Sequence, residues 1–269
     1  MNEIANQIVI VEALNIMDDT FFQKIAEDPE VCEEMLRVFL DNPDLKIISS
    51  QPQCFLRNAG TRSVILDAFC TDKSGVFYNV ELQKSDCDNH QKRVRYNASN
   101  IDTSVTEKGI PFSEIPDVYA IYLSKFDVFK EGKTVYHIDR TIRETGTVVD
   151  NGFYEIYANA AVDDGSKTAE LMQYIKNTNE DKPEFPKTSK RVKYFKEEEG
   201  KEEMCEIIEK YAEERATKAA DEAAKEADRS AACEFLKNGA SLEMVLKSLK
   251  RLTEEEIASI YKDVMEKKL

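Results

Sequence analysis

Two carboxylates, Asp67 and Glu81, stand in the middle of apolar runs within ILDAFCTDKSGVFYNVELQK, residues 65–84. The runs flank DKSGV, which suits a hairpin with the three-residue loop Lys73–Ser74–Gly75 and Gly75 in the left-handed position. Alternation along the second strand puts Phe77, Asn79, Glu81 and Gln83 on one face and Val76, Tyr78, Val80 and Leu82 on the other. If residues 72 and 76 pair, Asp67 falls directly across from Glu81, with Cβ atoms about 5 Å apart, and Ile65 falls across from Gln83. Like charges so placed repel, and a hard divalent cation with oxygen ligands is an economical way to reconcile them. The plainer alternative turns both acids to water or pairs them with Arg57, Arg62 or Arg93. Spacing by itself leaves both readings open.

The surrounding elements follow from periodicity and end signals. EDPEVCEEMLRVFL begins with Asp28 as N-cap and Pro29 at the first helical position, and places Val31, Met35, Val38 and Phe39 on one side of a helix. LKIISS reads as a short strand, and QPQCFLRNAGT as a connection punctuated by Pro52 and Gly60. After the hairpin, Val94, Ala98, Ile101 and Val105 make an amphipathic helical stripe that Gly109 would stop. PDVYAIYLSKFDVF is apolar on both alternating faces, as an interior strand covered on two sides would be. KTVYHIDRTIRE and NGFYEIYANA read as two more strands and SKTAELMQYIKN as a helix, giving an α/β fold with a mixed sheet.

Past residue 175 the texture changes. Residues 176–194, rich in Pro, Lys and polar side chains, read as a linker between a domain over 1–175 and a helical extension over 195–269. Glu/Lys/Ala-rich sequence with i,i+4 pairs such as Glu206–Lys210 and Asp221–Lys225 predicts a long solvated helix. Two short helices should close the chain, with Gly239 as a C-cap, Ser241 as an N-cap and a capping box from Thr253 to Glu256. Those last helices carry acids where a DNA-recognition helix would want donors, so protein–protein contact, self-association included, is the expectation for them.

Composition narrows the chemistry. With 37 Lys+Arg against 52 Asp+Glu, net charge −15 argues against wholesale electrostatic attraction to nucleic acid but permits a local basic groove. Two histidines and six cysteines without CxxC spacing supply little for a zinc site or a histidine triad. The cysteines read as free thiols in a reducing cytosol, and no apolar run is long enough for a membrane span, so a cytoplasmic protein is expected.

An acid on one strand, a hairpin, acid-x-polar on the next strand and then a helix resemble the PD-(D/E)XK nuclease superfamily. The likeness is to its transposase-like or recombination-promoting nuclease branch, where Gln replaces the last Lys. It is carried by LDAFC with Asp67, VELQK with Glu81 and Gln83, and QKRVRYNAS with Arg93 and Tyr96, and it is extended by MDDTFFQKIAEDPEVCEEML and by the helical tail. The resemblance implies a restriction-endonuclease-like αβββαβ core and metal-dependent DNA endonuclease activity, with a role in DNA recombination. Asp67, Glu81 and the Leu82 carbonyl would hold Mg²⁺, with Mn²⁺ substituting. Gln83 would orient the nucleophile, and Arg93 and Tyr96 would bind the substrate phosphate. Glu33 or Glu34 could add a metal ligand, against the plainer reading of a solvated helix face. Gln83 cannot offer the charge of a Lys, and Lys84 points to the opposite face in a regular strand. The competing function is therefore a binding or assembly module on a nuclease fold whose chemistry has faded.

Overall fold

A computed structural model describes residues 10–57, 62–87, 89–177, 181–197 and 199–266, apart from the side chains of Lys218, Met265 and Glu266. The chain divides into two units, Met1–Cys205 and Glu206–Leu269.

In the first unit, helices α1 (Asp19–Ala26) and α2 (Pro29–Phe39) precede the strands β1 (Ile47–Leu56), β2 (Val64–Asp72) and β3 (Phe77–Gln83). Helix α3 (His90–Val105) then leads to β4 (Val118–Ser124), β5 (Val135–Ile138) and β6 (Phe153–Asn159). The six strands lie in the order β1-β2-β3-β4-β6-β5. The first three pair antiparallel, as hairpin connections allow, while β3, β4 and β6 run parallel. A parallel neighbour needs a crossover, and α3 supplies the one between β3 and β4. From α2 to β4 the order is αβββαβ, the core expected from the resemblance. β4 is buried along nearly its whole length, the interior strand that its two apolar faces predict.

Capping accounts for the helix starts. The Asp28 carboxylate accepts from the Glu30 N–H at 2.9 Å with Pro29 inside the first turn of α2, and Val31, Met35, Leu36 and Phe39 are buried. Asn89 caps α3, accepting from the Lys92 N–H at 3.1 Å. Helix α3 ends at Val105 with Thr106 as its cap, so Gly109 belongs to the next turn and does not stop the helix.

The hairpin has the anticipated register. Its ladder runs from Thr71↔Phe77 to Ala68↔Val80, and Gly75 sits at φ +83. The Asp72 carboxylate organises the loop by accepting from the N–H groups of Ser74 at 2.8 Å and Val76 at 3.0 Å. This register places Asp67 opposite Glu81.

Two expectations are corrected. β1 continues through Pro52 to Leu56 where a connection was expected; β1 is the sheet edge, where a residue without an N–H is tolerated. Gly60 lies outside the described residues. Most of the second half of the expected linker is helical: α4 (Lys167–Lys176) is followed by α5 (Pro186–Glu197), which buries Thr188, Ser189, Val192 and Phe195. Its free N–H groups at Lys187 and Thr188 donate to the Glu34 carboxylate at 3.0 and 2.8 Å, a cap from a distant helix that local composition does not reveal.

The long helix α6 (Gly200–Lys237) begins in the first unit and carries on into the second. The second unit adds α7 (Leu242–Ser248) and α8 (Glu254–Glu266) and has its own core of Ala232, Leu236, Val245, Leu252, Ile257 and Val264. Gly239, Ser241 and the Thr253–Glu256 capping box stand where their signals predict. Among the described residues no helix is long and apolar enough to cross a membrane.

Gly75 gives a direct test of the hairpin. Gly75→Ala places a Cβ on a left-handed residue and is expected to cost about 1–2 kcal/mol in urea unfolding. An unchanged midpoint would mean that the loop is not held in this conformation.

Candidate functional site

Asp67 lies where β2 and β3 begin to part, one residue beyond the last pair of their ladder. Its carboxylate continues the ladder: Oδ2 accepts the Leu82 N–H at 2.9 Å. Gln53 of β1 approaches the other oxygen, with Nε2 3.5 Å from Oδ1. Gln53 has φ +49, a left-handed conformation that is costly for a residue with a Cβ, inside a strand and against the carboxylate.

Glu81, across from Asp67, is 2% exposed. Its Oε2 lies 3.5 Å from Arg93 Nη2, and its Oε1 makes no close hydrogen bond among the described residues, the Asn79 amide and the Asp67 N–H being the donors that act on the carboxylate. A buried carboxylate oxygen left unpaired costs free energy, so this atom marks a position that a further donor or cation would satisfy. Arg93, one turn into α3, also donates from Nη1 to Gln83 Oε1 at 3.3 Å. The amide of Gln83 is held at both ends, since Nε2 donates to the Ser85 carbonyl at 2.8 Å.

The structure thus brings together Asp67, Glu81, Leu82, Gln83 and Arg93. Of the three arginines weighed as partners for the acids, Arg93 is the one that meets Glu81. Tyr96 is directed elsewhere: its hydroxyl donates to the backbone carbonyl of Arg62, two residues before β2. Neither Glu33 nor Glu34 joins the site. Glu33 is buried against Arg37 at 2.9 Å and Lys46 at 3.1 Å and accepts the Ile47 N–H, while Glu34 caps α5.

The additional acid from the front of the chain is Asp19, the first residue of α1, whose charge acts on Asp67. Lys84 has left the regular strand and pairs with Asp18 at 2.9 Å and Asp19 at 3.5 Å. Asp18, Asp19 and Gln53 are the neighbours that sequence reasoning missed. The adjacent acids of MDDTFF were a signal; nothing in the sequence marked Gln53.

Burial raises the pKa of Asp67, opposed by the Leu82 N–H and the Arg93 charge. Burial, with the charge of Asp67 beside it, pushes Glu81 up to about 8. Without a cation, Glu81 therefore holds a proton at neutral pH. Among the described residues no group of three or more His, Cys, Asp or Glu side chains could enclose a metal ion. A cation here would rest on two carboxylates, backbone oxygen and water. Such hard, incomplete oxygen sets suit Mg²⁺ or Mn²⁺, and the unpaired Glu81 Oε1 fits that use.

The sign of the linkage is fixed by Glu81. Below about pH 4.5, its ordinary value, folded and unfolded chains both carry the proton. As pH rises toward 8 the unfolded chain releases it and the folded chain keeps it, so stability falls with pH. Glu81→Gln should therefore stabilise the metal-free protein at pH 8 by a few kcal/mol, at about 1.4 kcal/mol per pKa unit, and much less at pH 5. Thermal melts at the two pH values read this directly; equal shifts would show that Glu81 titrates normally.

A family model described as PD-(D/E)XK nuclease family transposase matches residues 26–234, most of the chain, and the chain belongs to that family. No curated protein and no solved structure matches the chain significantly.

Proposed function

We propose that this member of the PD-(D/E)XK nuclease family is a Mg²⁺-dependent DNA endonuclease whose centre is built on Asp67, Glu81 and Gln83, with Arg93 as the phosphate-binding cation. The observation that carries the reading is the buried, unpaired Oε1 of Glu81 across from Asp67. A divalent ion held by Asp67, Glu81 and the Leu82 carbonyl would polarise the scissile phosphate and lower the pKa of the attacking water.

The chain's own residues do the rest. The Leu82 N–H fixes the Asp67 carboxylate, leaving its second oxygen to face the site. Arg93 reaches both Glu81 and Gln83, and its planar donor fork suits two oxygens of a phosphate. Arg93 supplies from α3 the positive charge that Gln83 cannot. Gln83 holds that guanidinium in place and orients the nucleophile from the strand end. Tyr96, tied to the Arg62 carbonyl, acts on substrate only through the wall of the site it braces. A role in promoting recombination follows from the family likeness, DNA cleavage being the step these residues support. Six free cysteines fit a reducing cytoplasm.

A second reading, a nuclease fold retained as a binding or assembly module, is favoured by one observation. The neutral Gln83 amide is bonded at both ends, its oxygen to Arg93 and one N–H to the Ser85 carbonyl, and it brings no positive charge to a reacting group. In that case the separate core of the C-terminal helices would be the working part, through self-association or a partner.

Cleavage separates the readings. Purified protein with Mg²⁺ or Mn²⁺ is expected to nick supercoiled DNA, and Asp67→Ala and Glu81→Ala to abolish nicking while keeping the circular dichroism of the wild type. Arg93→Ala should lower the rate by about 10²–10³-fold, the usual loss for one donor to a developing anion. Equal nicking by the wild type and both carboxylate variants would overturn the endonuclease. Calorimetry showing no Mn²⁺ binding at millimolar concentration would favour the module.

A further inference from the structure

In a chain of net charge −15, Arg62, Lys92, Arg93, Arg95 and Arg140 gather along two adjoining clefts. One cleft, of about 650 Å³, lies between the start of β2 and the first half of α3 and is lined by Arg62, Arg93 and Tyr96. The other, of about 720 Å³, is bordered by α3 and the β5–β6 region, with Arg140, Asn151 and Phe153 in its wall. Asn89, Lys92 and Arg95 line both clefts, so this part of α3 is the ridge between them. Arg93 connects the first cleft to the carboxylates through its bonds to Glu81 and Gln83.

What sets three of these cations apart is that they are exposed, without acidic partners among the described residues and gathered in the cleft walls. Some lysines and arginines of this unit are matched to acids, Lys46 with Glu33, Lys84 with Asp18, Lys187 with Glu30 and Arg191 with Glu27. Lys92, Arg95 and Arg140 are exposed, and among the described residues no acidic side chain forms an ion pair with them. Two acids, Asp102 and Glu155, also line the second cleft, and Glu155 accepts the Tyr157 hydroxyl at 2.9 Å. An acidic chain with abundant carboxylates thus leaves three cations unneutralised beside its candidate centre. Polyphosphate backbones are bound by this arrangement, through release of the counterions condensed on them. The Phe153 and Asn151 side chains add apolar and amide surface to the second cleft.

We infer that Lys92, Arg95 and Arg140 form a phosphate track that carries the backbone of a DNA duplex across the α3 ridge to the cleavage centre. The inference takes its ligand from the nuclease reading above, but its test is a binding measurement without metal or turnover.

Fluorescence anisotropy with a labelled random-sequence duplex in EDTA, over a series of salt concentrations, gives the slope of log affinity against log salt. Lys92→Gln, Arg95→Gln and Arg140→Gln should each reduce that slope by about 1, and the triple variant by about 3, one for each phosphate no longer neutralised. Lys187→Gln, which removes an equal charge from an ion pair with Glu30, should leave the slope unchanged. Thermal melts establish that each variant is folded, and the exposed single substitutions on α3 remain informative if the triple variant is not. A wild-type slope in the single and triple variants, an equal loss in Lys187→Gln, or no duplex binding by the wild type would each overturn the track. Cleavage with the track variants binding normally would leave the nuclease standing without it. Slope losses as expected, with no cleavage by any form, would leave the track standing and remove the nuclease.

Discussion

Two carboxylates held opposite each other under cover of the sheet are the constraint on which the rest of this unit turns. Neither Asp67 nor Glu81 can shed its charge into bulk water, and each raises the cost of ionising the other. The fold answers with specific groups. Leu82 gives its N–H to Asp67, Gln53 adopts a strained backbone beside it, and Arg93 divides its guanidinium between Glu81 and Gln83. What remains is a proton on Glu81 and one oxygen that makes no close hydrogen bond among the described residues.

Topology explains why these groups meet. The β2–β3 hairpin fixes the acids by register alone, and the parallel pairing of β3 with β4 requires a helix to return the chain. That helix begins close to the end of β3, so Arg93 at the end of its first turn reaches the strand positions 81 and 83. Its start is anchored: His90 is buried, with Nδ1 2.8 Å from the Tyr122 hydroxyl of β4 and Nε2 3.0 Å from Asp86. The anchor sets where Arg93 stands, and the exposed residues of the same helix follow from it: one face meets the acids while Lys92 and Arg95 face the clefts. A single element therefore aligns the candidate chemistry with the surface that could deliver DNA to it.

Much of this was legible in the sequence, for physical reasons that differ from residue to residue. The hairpin register was readable because a Gly in a three-residue loop leaves one pairing, and strand period then assigns every side chain to a face. The caps at Asp28, Ser241 and Thr253 were readable because they satisfy donors within a few residues of themselves. The failures share the opposite character. Pro52 signals a break only if its strand is interior, and edge position is a property of the finished sheet. Helix α5 is capped by Glu34, more than a hundred residues away, so its composition resembled a linker. Tyr96 has helical spacing with Arg93, but its hydroxyl follows the nearest free carbonyl, that of Arg62. Asp19 and Gln53 reach Asp67 from other elements, and no spacing rule in the hairpin could include them.

The residue at position 83 gathers these points. A lysine there would set a second cation within reach of the Arg93 guanidinium, where like charges compete for the same carboxylate. A glutamine offers Arg93 an acceptor instead, at 3.3 Å, and so converts a repulsion into a bond. Burial and the charge of Asp67 favour the protonated form of Glu81, and Arg93 opposes both effects. Asp67 and Glu81 are the residues that would hold a divalent ion, whose charge would then stand beside them, and the Arg93 fork is the group placed to meet a phosphate. On this view the glutamine moves the positive charge from the strand to the helix, where the phosphate track begins.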